Sequence, residues 1–210
     1  MADGLILHEV AIARDDTPLI ALDRTVGPGD VLTVMGPSGV GKSTLLAAIT
    51  GTLPPGFSLS GKIWLDGHDI TRAPPHRRRV GILFQDDLLF PHMSVAQNLG
   101  FGLRPGGTAR DRTRLIDLGL MDIGLEGFGD RDPATLSGGQ KARVALMRML
   151  LSDPCALLLD EAFSGLDAAL RIQMRALVFD RARARRLPVL MVTHDEEDAQ
   201  AAGGAVIRLG

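Results

Sequence analysis

The sequence predicts an α/β fold: a mostly parallel sheet with flanking helices, a small antiparallel β-subdomain and a helical subdomain. Three features predict it. Short apolar runs, Val31–Met35, Val80–Phe84, Ala156–Leu159 and Pro188–Thr193, read as strands buried on both faces, as in a parallel sheet. A glycine-rich loop, Gly36–Thr44, joins the first of these to the helical stretch Leu45–Ile49. Lys62–Leu65 alternates and meets the hairpin-type turn Asp66-Gly67, which belongs to an antiparallel piece.

The 210 residues suffice for a full core and are expected to form one domain. Net charge is −2, so no global basic field points to nucleic acid. A single cysteine, Cys155, excludes an internal disulfide and fits a reducing compartment. The start, Met-Ala-Asp-Gly, lacks the basic region and apolar core of a signal peptide. No apolar stretch of about 18 residues occurs, so a membrane role is expected to run through a partner.

Along the chain, Leu5–Val10 and Pro18–Leu22 read as short strands around a polar turn at Asp15-Asp16. Gly27-Pro-Gly29 turns into the strand before the glycine loop. Pro54-Pro55-Gly56 makes residues 52–60 irregular. The basic run His76–Arg79 reads as a solvated loop. Ser94 is placed to cap a helix to about Leu103, and a second helical stretch covers Asp111–Gly119. Residues of about 88–136 therefore form a mostly helical insertion between core strands. Lys141–Leu151 is helical and apolar around much of its circumference, so it should be buried. A helix of about Ala168–Arg186 and a last strand at Ala205–Leu209 complete the order.

The loop Gly36-Pro37-Ser38-Gly39-Val40-Gly41-Lys42-Ser43-Thr44 carries chemistry as well as shape. Its glycines let backbone N–H groups converge on phosphate oxygens, and the following helix adds its positive dipole end. Lys42 has the reach for the β- and γ-phosphates, and the Ser43 hydroxyl suits Mg²⁺. Gln85 ends a buried strand, where α/β sheets bind ligands. Leu136-Ser137-Gly138-Gly139-Gln140 offers a second helix start open to an anion, without a lysine or metal hydroxyl of its own. On this motif alone a plain capped helix is favoured. The acids Asp160 and Glu161 close a third strand: Asp160 is placed to orient Mg²⁺ and Glu161 to polarise an attacking water. His194, at the end of a fourth, is a candidate γ-phosphate contact, followed by acids suited to a helix N-terminus.

In this order the motifs resemble the ATP-binding cassette subunits of membrane transporters, over nearly the whole chain. The matching pieces are Gly36–Ser43, Gln85, the signature Leu136–Gln140, Asp160-Glu161, Ser164–Asp167 and His194. Leu-Phe-Pro-His-Met-Ser at 89–94 looks most like single-cassette subunits of bacterial importers. The resemblance implies a P-loop NTPase core, ATP and Mg²⁺ as cofactors, and a head-to-tail dimer. In that dimer Ser137, Gly138, Gly139 and Gln140 complete the partner's site and Asp167 links the two. It also implies Gln85 as a Mg²⁺ ligand and permease sensor, Glu161 as base and His194 on the γ-phosphate. A separate integral-membrane permease, a solute-binding protein and a peripheral place on the cytoplasmic face of the membrane complete the expectation.

Two positions depart from that family's pattern. Arg14 stands where an aromatic residue usually stacks on adenine, and the chain has no tyrosine. Ala162 stands where proline usually follows the catalytic acid. An exporter or lipid-handling cassette would keep the same motifs. A non-transport cassette would need a long coiled-coil insertion or second cassette, and an inactive regulatory module would tend to lose Glu161 or His194.

Overall fold

The computed structural model describes residues 3–37 and 39–209. The chain opens with a hairpin, β1 (Leu5–Arg14) and β2 (Thr17–Val26), then β3 (Val31–Met35) and α1 (Lys42–Thr50). Next come β4 (Phe57–Leu65), the two-residue β5 (His68–Asp69) and β6 (Val80–Phe84). Helices α2 (Val95–Gly102), α3 (Ala109–Asp122) and α4 (Gly138–Leu151) follow without an intervening strand. Strand β7 (Ala156–Asp160), α5 (Ala168–Ala184), β8 (Val189–Thr193), α6 (Glu196–Ala202) and β9 (Ala205–Arg208) complete it.

These strands make two sheets. The parallel one runs β6-β7-β8-β3-β9; the antiparallel one runs β2-β1-β4-β5. Alternate residues of the parallel strands serve different cores, as a period of two demands. Leu157, Leu159, Val189 and Met191 face α4 and α5, with Val144, Met174 and Val178. Leu32, Val34, Leu158 and Leu190 face the opposite way, against α1 and the antiparallel sheet, with Leu45, Ile49, Leu7 and Ile63. The central strands β3, β7 and β8 are thus covered on both sides, which is why they read as apolar runs.

The hairpin strands are longer than the sequence predicts. Register shifts beside Leu7 and Val10 mark a bulge in β1, with Glu9 at φ 47°. The bulge breaks the simple alternation, so the strand looks finished at Val10 when it continues to Arg14. Strand β4 also begins earlier than expected. Pro54-Pro55-Gly56 acts as the turn before it, and Phe57–Ser60 pair with Ala11–Arg14. The basic run at 76–79 is a further correction. Arg78 is buried, and its guanidinium donates to the carbonyls of Ala48 (2.8 Å), Ile49 (2.9 Å), Ala73 (2.7 Å) and Thr71 (2.9 Å). A cation on the unpaired carbonyls at the end of α1 satisfies them and suits the helix dipole.

Register then decides what meets at the carboxyl edge of the parallel sheet. Phe84 pairs with Asp160, Asp160 with Val192 and Met35 with Thr193. The strands end level, so the residues just beyond them, Gln85, Glu161, His194 and Gly36, share one edge.

Candidate active site

The phosphate loop leaves β3 at Gly36 and enters α1 at Gly41, which sits in the left-handed region with φ 100°. Gly39 is left-handed too, at φ 85°, and open space surrounds the place a Cβ would take. Glycine is the residue that adopts these angles without strain. Helix α1 has no side-chain cap, whereas Ser94, Thr108, Ser137, Asp167 and Asp195 cap α2 to α6. Its first amides therefore remain free for an anion. Lys42 is buried, and its ammonium donates to the carbonyls of Gly36 (2.7 Å) and Pro37 (3.0 Å). Pro37, Val40 and Thr44 lie in the same loop and first turn. Ser38 lies outside the described residues.

Opposite this loop, the Ser43 hydroxyl donates to Asp160 Oδ1 at 3.3 Å. Burial pushes the Asp160 carboxyl above its usual range, the Ser43 hydrogen bond opposes this, and the neighbouring Glu161 adds to it. Ser43, Gln85, Asp160 and Glu161 line a cleft of about 270 Å³. A hydroxyl, a carboxylate and an amide oxygen around one cleft are hard oxygen donors, the set that suits Mg²⁺ with its remaining positions filled by water and phosphate. The residues present fit a magnesium nucleotide.

Glu161 takes the left-handed conformation, with φ 48°. Its amide donates to Val192 O (3.0 Å), and its carbonyl accepts from the Ser164 hydroxyl (2.9 Å). Strain of this kind persists where surrounding bonds enforce it. The bent backbone leaves Oε1 3.9 Å from Lys42 Nζ and Oε2 3.3 Å from His194 Nδ1. Lys42, Ser43, Gln85, Asp160, Glu161 and His194 thus converge. Such a cluster can cradle a phosphate chain, hold its metal and orient a water for in-line attack.

The glycine stretch at 136–140 joins none of these groups through a hydrogen bond or ion pair among the described residues. Ser137 and Gln140 form a reciprocal capping box: Ser137 N donates to Gln140 Oε1 (2.9 Å) and Gln140 N to Ser137 Oγ (3.3 Å). Gly138 is exposed with open space around it, while a Cβ on Gly139 would meet Leu170. Asp167 is exposed and caps α5, accepting from Leu170 N at 3.0 Å. Arg14 is exposed, and its guanidinium lies 5.7 Å from the Phe57 ring centroid. Strand β2 places that pair beside the loop, since Ile20 and Leu19 pack on Gly41 and Arg14 pairs with Thr17.

Sequence reasoning missed Arg148, on α4. It donates to the carbonyls of Leu88 (2.9 Å) and Asp87 (3.2 Å) and lies 5.2 Å from the Phe90 ring centroid. It thereby ties the loop after Gln85 to the helix that starts at the signature. Beside it runs a groove of about 500 Å³ lined by Phe84, Leu88, Phe90, Phe101 and Met149. Phe84, Leu88 and Phe101 are 40%, 55% and 65% exposed, an unusual share of apolar surface in one place. Only the apolar run at 88–90 hints at it in the sequence.

The family model described as ABC transporter matches residues 19–164. The chain belongs to the ATP-binding cassette transporter family. It is 51% identical over 198 residues to an uncharacterized ABC transporter ATP-binding protein, YnjD, of Escherichia coli K12, covering 94% of this chain and 91% of that one. It is 46% identical to the thiamine import ATP-binding protein ThiQ of Cereibacter sphaeroides, over 93% of this chain and 84% of the relative. Among solved structures it superposes on cbiO1 of Clostridium perfringens, part of the ABC transporter complex cbiONQ, with a TM-score of 0.85 and 30% identity. That match covers 99% of this chain and 85% of the other. Like its family, the cassette binds ATP and is an ATPase. Among its described residues no helix is long and apolar enough to cross a membrane.

Proposed function

We propose that this cassette powers solute uptake through a separate permease by binding and hydrolysing MgATP. The observation that carries the proposal is the convergence just described. An uncapped phosphate loop, a hydroxyl–carboxylate pair and an acid set between a lysine and a histidine meet at one sheet edge.

The bound nucleotide supplies a γ-phosphoryl group, with Mg²⁺ offsetting its charge. Gly36, Ser38, Gly39, Val40, Gly41 and Thr44 cradle the phosphates through backbone N–H groups, and Pro37, which has no N–H, shapes the turn between them. Lys42 exchanges its two carbonyl partners for phosphate oxygens. Ser43 and Gln85 ligate the metal, and Asp160 orients it. Glu161 accepts the proton of the attacking water, and His194 holds the γ-phosphate end.

The separated glycine stretch is the support for a head-to-tail dimer. Ser137, Gly138, Gly139 and Gln140 of one copy complete the site of the other, and Asp167 faces the partner across it. Ser137 Oγ accepts from Gln140 N in the cap, which leaves its O–H, together with the exposed Gly138 amide, to donate to the partner's phosphate. The permease docks in the groove of Phe84, Leu88 and Phe101, beside Gln85, which places this subunit on the cytoplasmic face of the membrane. The permease, with a solute-binding protein, selects the solute; nucleic acid is not a partner. Uptake rather than export is favoured by the relatives named for import.

The test is purification from membranes with the subunits that accompany it. Multispanning membrane proteins that co-purify and raise ATPase activity in reconstituted vesicles support the reading. Loss of co-purification on Phe101→Glu supports the groove, and a chain that hydrolyses ATP but associates with no membrane protein overturns the transport role.

A further inference from the structure

Helix α5 carries arginines at 171 and 175, one turn apart and therefore on one face. That face meets the start of α6, just after His194. Arg175 and Asp198 form a buried pair, with Arg175 Nε donating to Asp198 Oδ1 at 2.6 Å. The other oxygen of Asp198 accepts from the Thr193 hydroxyl at 3.1 Å, and that hydroxyl in turn accepts from Asp195 N at 3.1 Å. Asp195 caps α6 with Oδ1 and takes Arg171 Nη1 on Oδ2 at 2.7 Å. The residues on both sides of His194 are thus bonded in place, while its own ring is 58% exposed with Glu161 as its one ion-pair partner among the described residues.

Arg171 reaches further. Its Nη2 donates to Ser164 O at 3.2 Å and lies 3.5 Å from Leu166 O, in the loop that ends on Asp167. Its Nε is buried without an acceptor, so the guanidinium is held by its two outer nitrogens alone. One planar fork therefore joins the loop after Glu161 to the segment after His194. A lysine has no second nitrogen to do this.

We propose that Arg171 is a positioning residue that fixes His194 relative to the Ser164–Asp167 loop, so that loop and histidine move as one body. The proposal rests on the reading of His194 as the phosphate contact. A purely structural ion pair would instead hold α5 on α6 and nothing more. The buried Arg175–Asp198 pair already does that, and Arg175 Nη2 also lies 3.8 Å from Asp195 Oδ1. What sets Arg171 apart is its reach to the carbonyls of Ser164 and Leu166.

The experiment measures steady-state ATPase activity and thermal midpoint of the full chain for R171M, R171K, D195N, R171M/D195N and H194A. Asp195→Asn keeps an oxygen for the helix cap and removes the charge that Arg171 grips at 2.7 Å and Arg175 approaches at 3.8 Å, while R171M leaves the Arg175 contact in place. Expected are a fall in kcat of about tenfold in R171M and in D195N, KM for ATP within about twofold, and no further loss in the double variant. R171K should recover only part. H194A turning over like wild type overturns the reading of His194 and the proposal with it. H194A slow beside R171M at the wild-type rate overturns the proposal alone. Losses that multiply in the double variant, or that follow the thermal midpoint, also overturn it.

Discussion

His194 Nδ1 lies 3.3 Å from Glu161 Oε2, while Lys42 holds the other carboxylate oxygen at 3.9 Å. Each oxygen of this acid therefore has a basic side chain beside it. Replacing it with glutamine keeps the shape and removes the carboxylate to which the proposed function gives the proton of the attacking water. Glu161→Gln should bind MgATP, lose about 10²–10⁴-fold in turnover and accumulate as an ATP-held dimer. Turnover near wild type in a steady-state assay would remove Glu161 from the role.

Ser137→Arg tests the partner-facing reading of the signature. The substitution breaks a capping box, at a cost of about 1 kcal/mol, and places a bulky cation beside the exposed Gly138. Equilibrium ATP binding to the monomer should persist while hydrolysis and dimer closure fail. A large loss of monomer affinity would put Ser137 in the site of its own chain.

Base recognition should involve Phe57 as well as Arg14. Arg14 is not a free guanidinium but lies over the Phe57 ring, 5.7 Å from its centroid. That contact preorganises a flat surface, yet a hydrated cation should stack on adenine less well than a ring. GTP should therefore compete well with ATP, and Arg14→Tyr should tighten ATP binding several-fold with kcat little changed. Phe57→Ala should weaken ATP binding in the wild-type background by freeing Arg14. Equal affinities across wild type, R14A, R14Y and F57A, measured by titration, would sink the stacking idea.

Arg78→Met should destabilise the fold more than any site substitution. It strands carbonyls of Ala48, Ile49, Thr71 and Ala73 that now share one cation. A loss of about 3 kcal/mol is expected, or roughly 6–12 °C in thermal midpoint for a chain of this size. A midpoint within about 2 °C of wild type would show those carbonyls to be satisfied by water.

Much of this was legible in the residues, for a physical reason. Strands covered on both faces read as near-continuous apolar runs, broken here only by Thr33 and Thr193, so β3, β7 and β8 stand out. The edge strand β6 is apolar as well, and Gln85, Asp160 and His194 declare themselves where each run ends. That these ends lie level is a matter of register, which no local pattern encodes. Strand β4 was hidden because its first half has Ser58, Ser60 and Gly61 on exposed positions. Arg78 was hidden for another reason. Within His76–Arg79 the residues look alike as a solvated basic run, and only the folded chain buries one of them, Arg78, against four carbonyls. Arg171 and Asp195 are 24 residues apart, so their contact could not be read from spacing.

The burial of Arg78 also bears on how the phosphate loop can move. Its guanidinium bolts the last turn of α1 to the Thr71–Ala73 segment, and a Cβ on Gly51 would run into that same group. The helix behind the loop is a rod clamped at its far end, unable to slide toward or away from an incoming anion. Any adjustment falls on the near end, where Gly39 and Gly41 have the backbone latitude to take it up. The nucleotide therefore meets a hinged rim on a fixed floor.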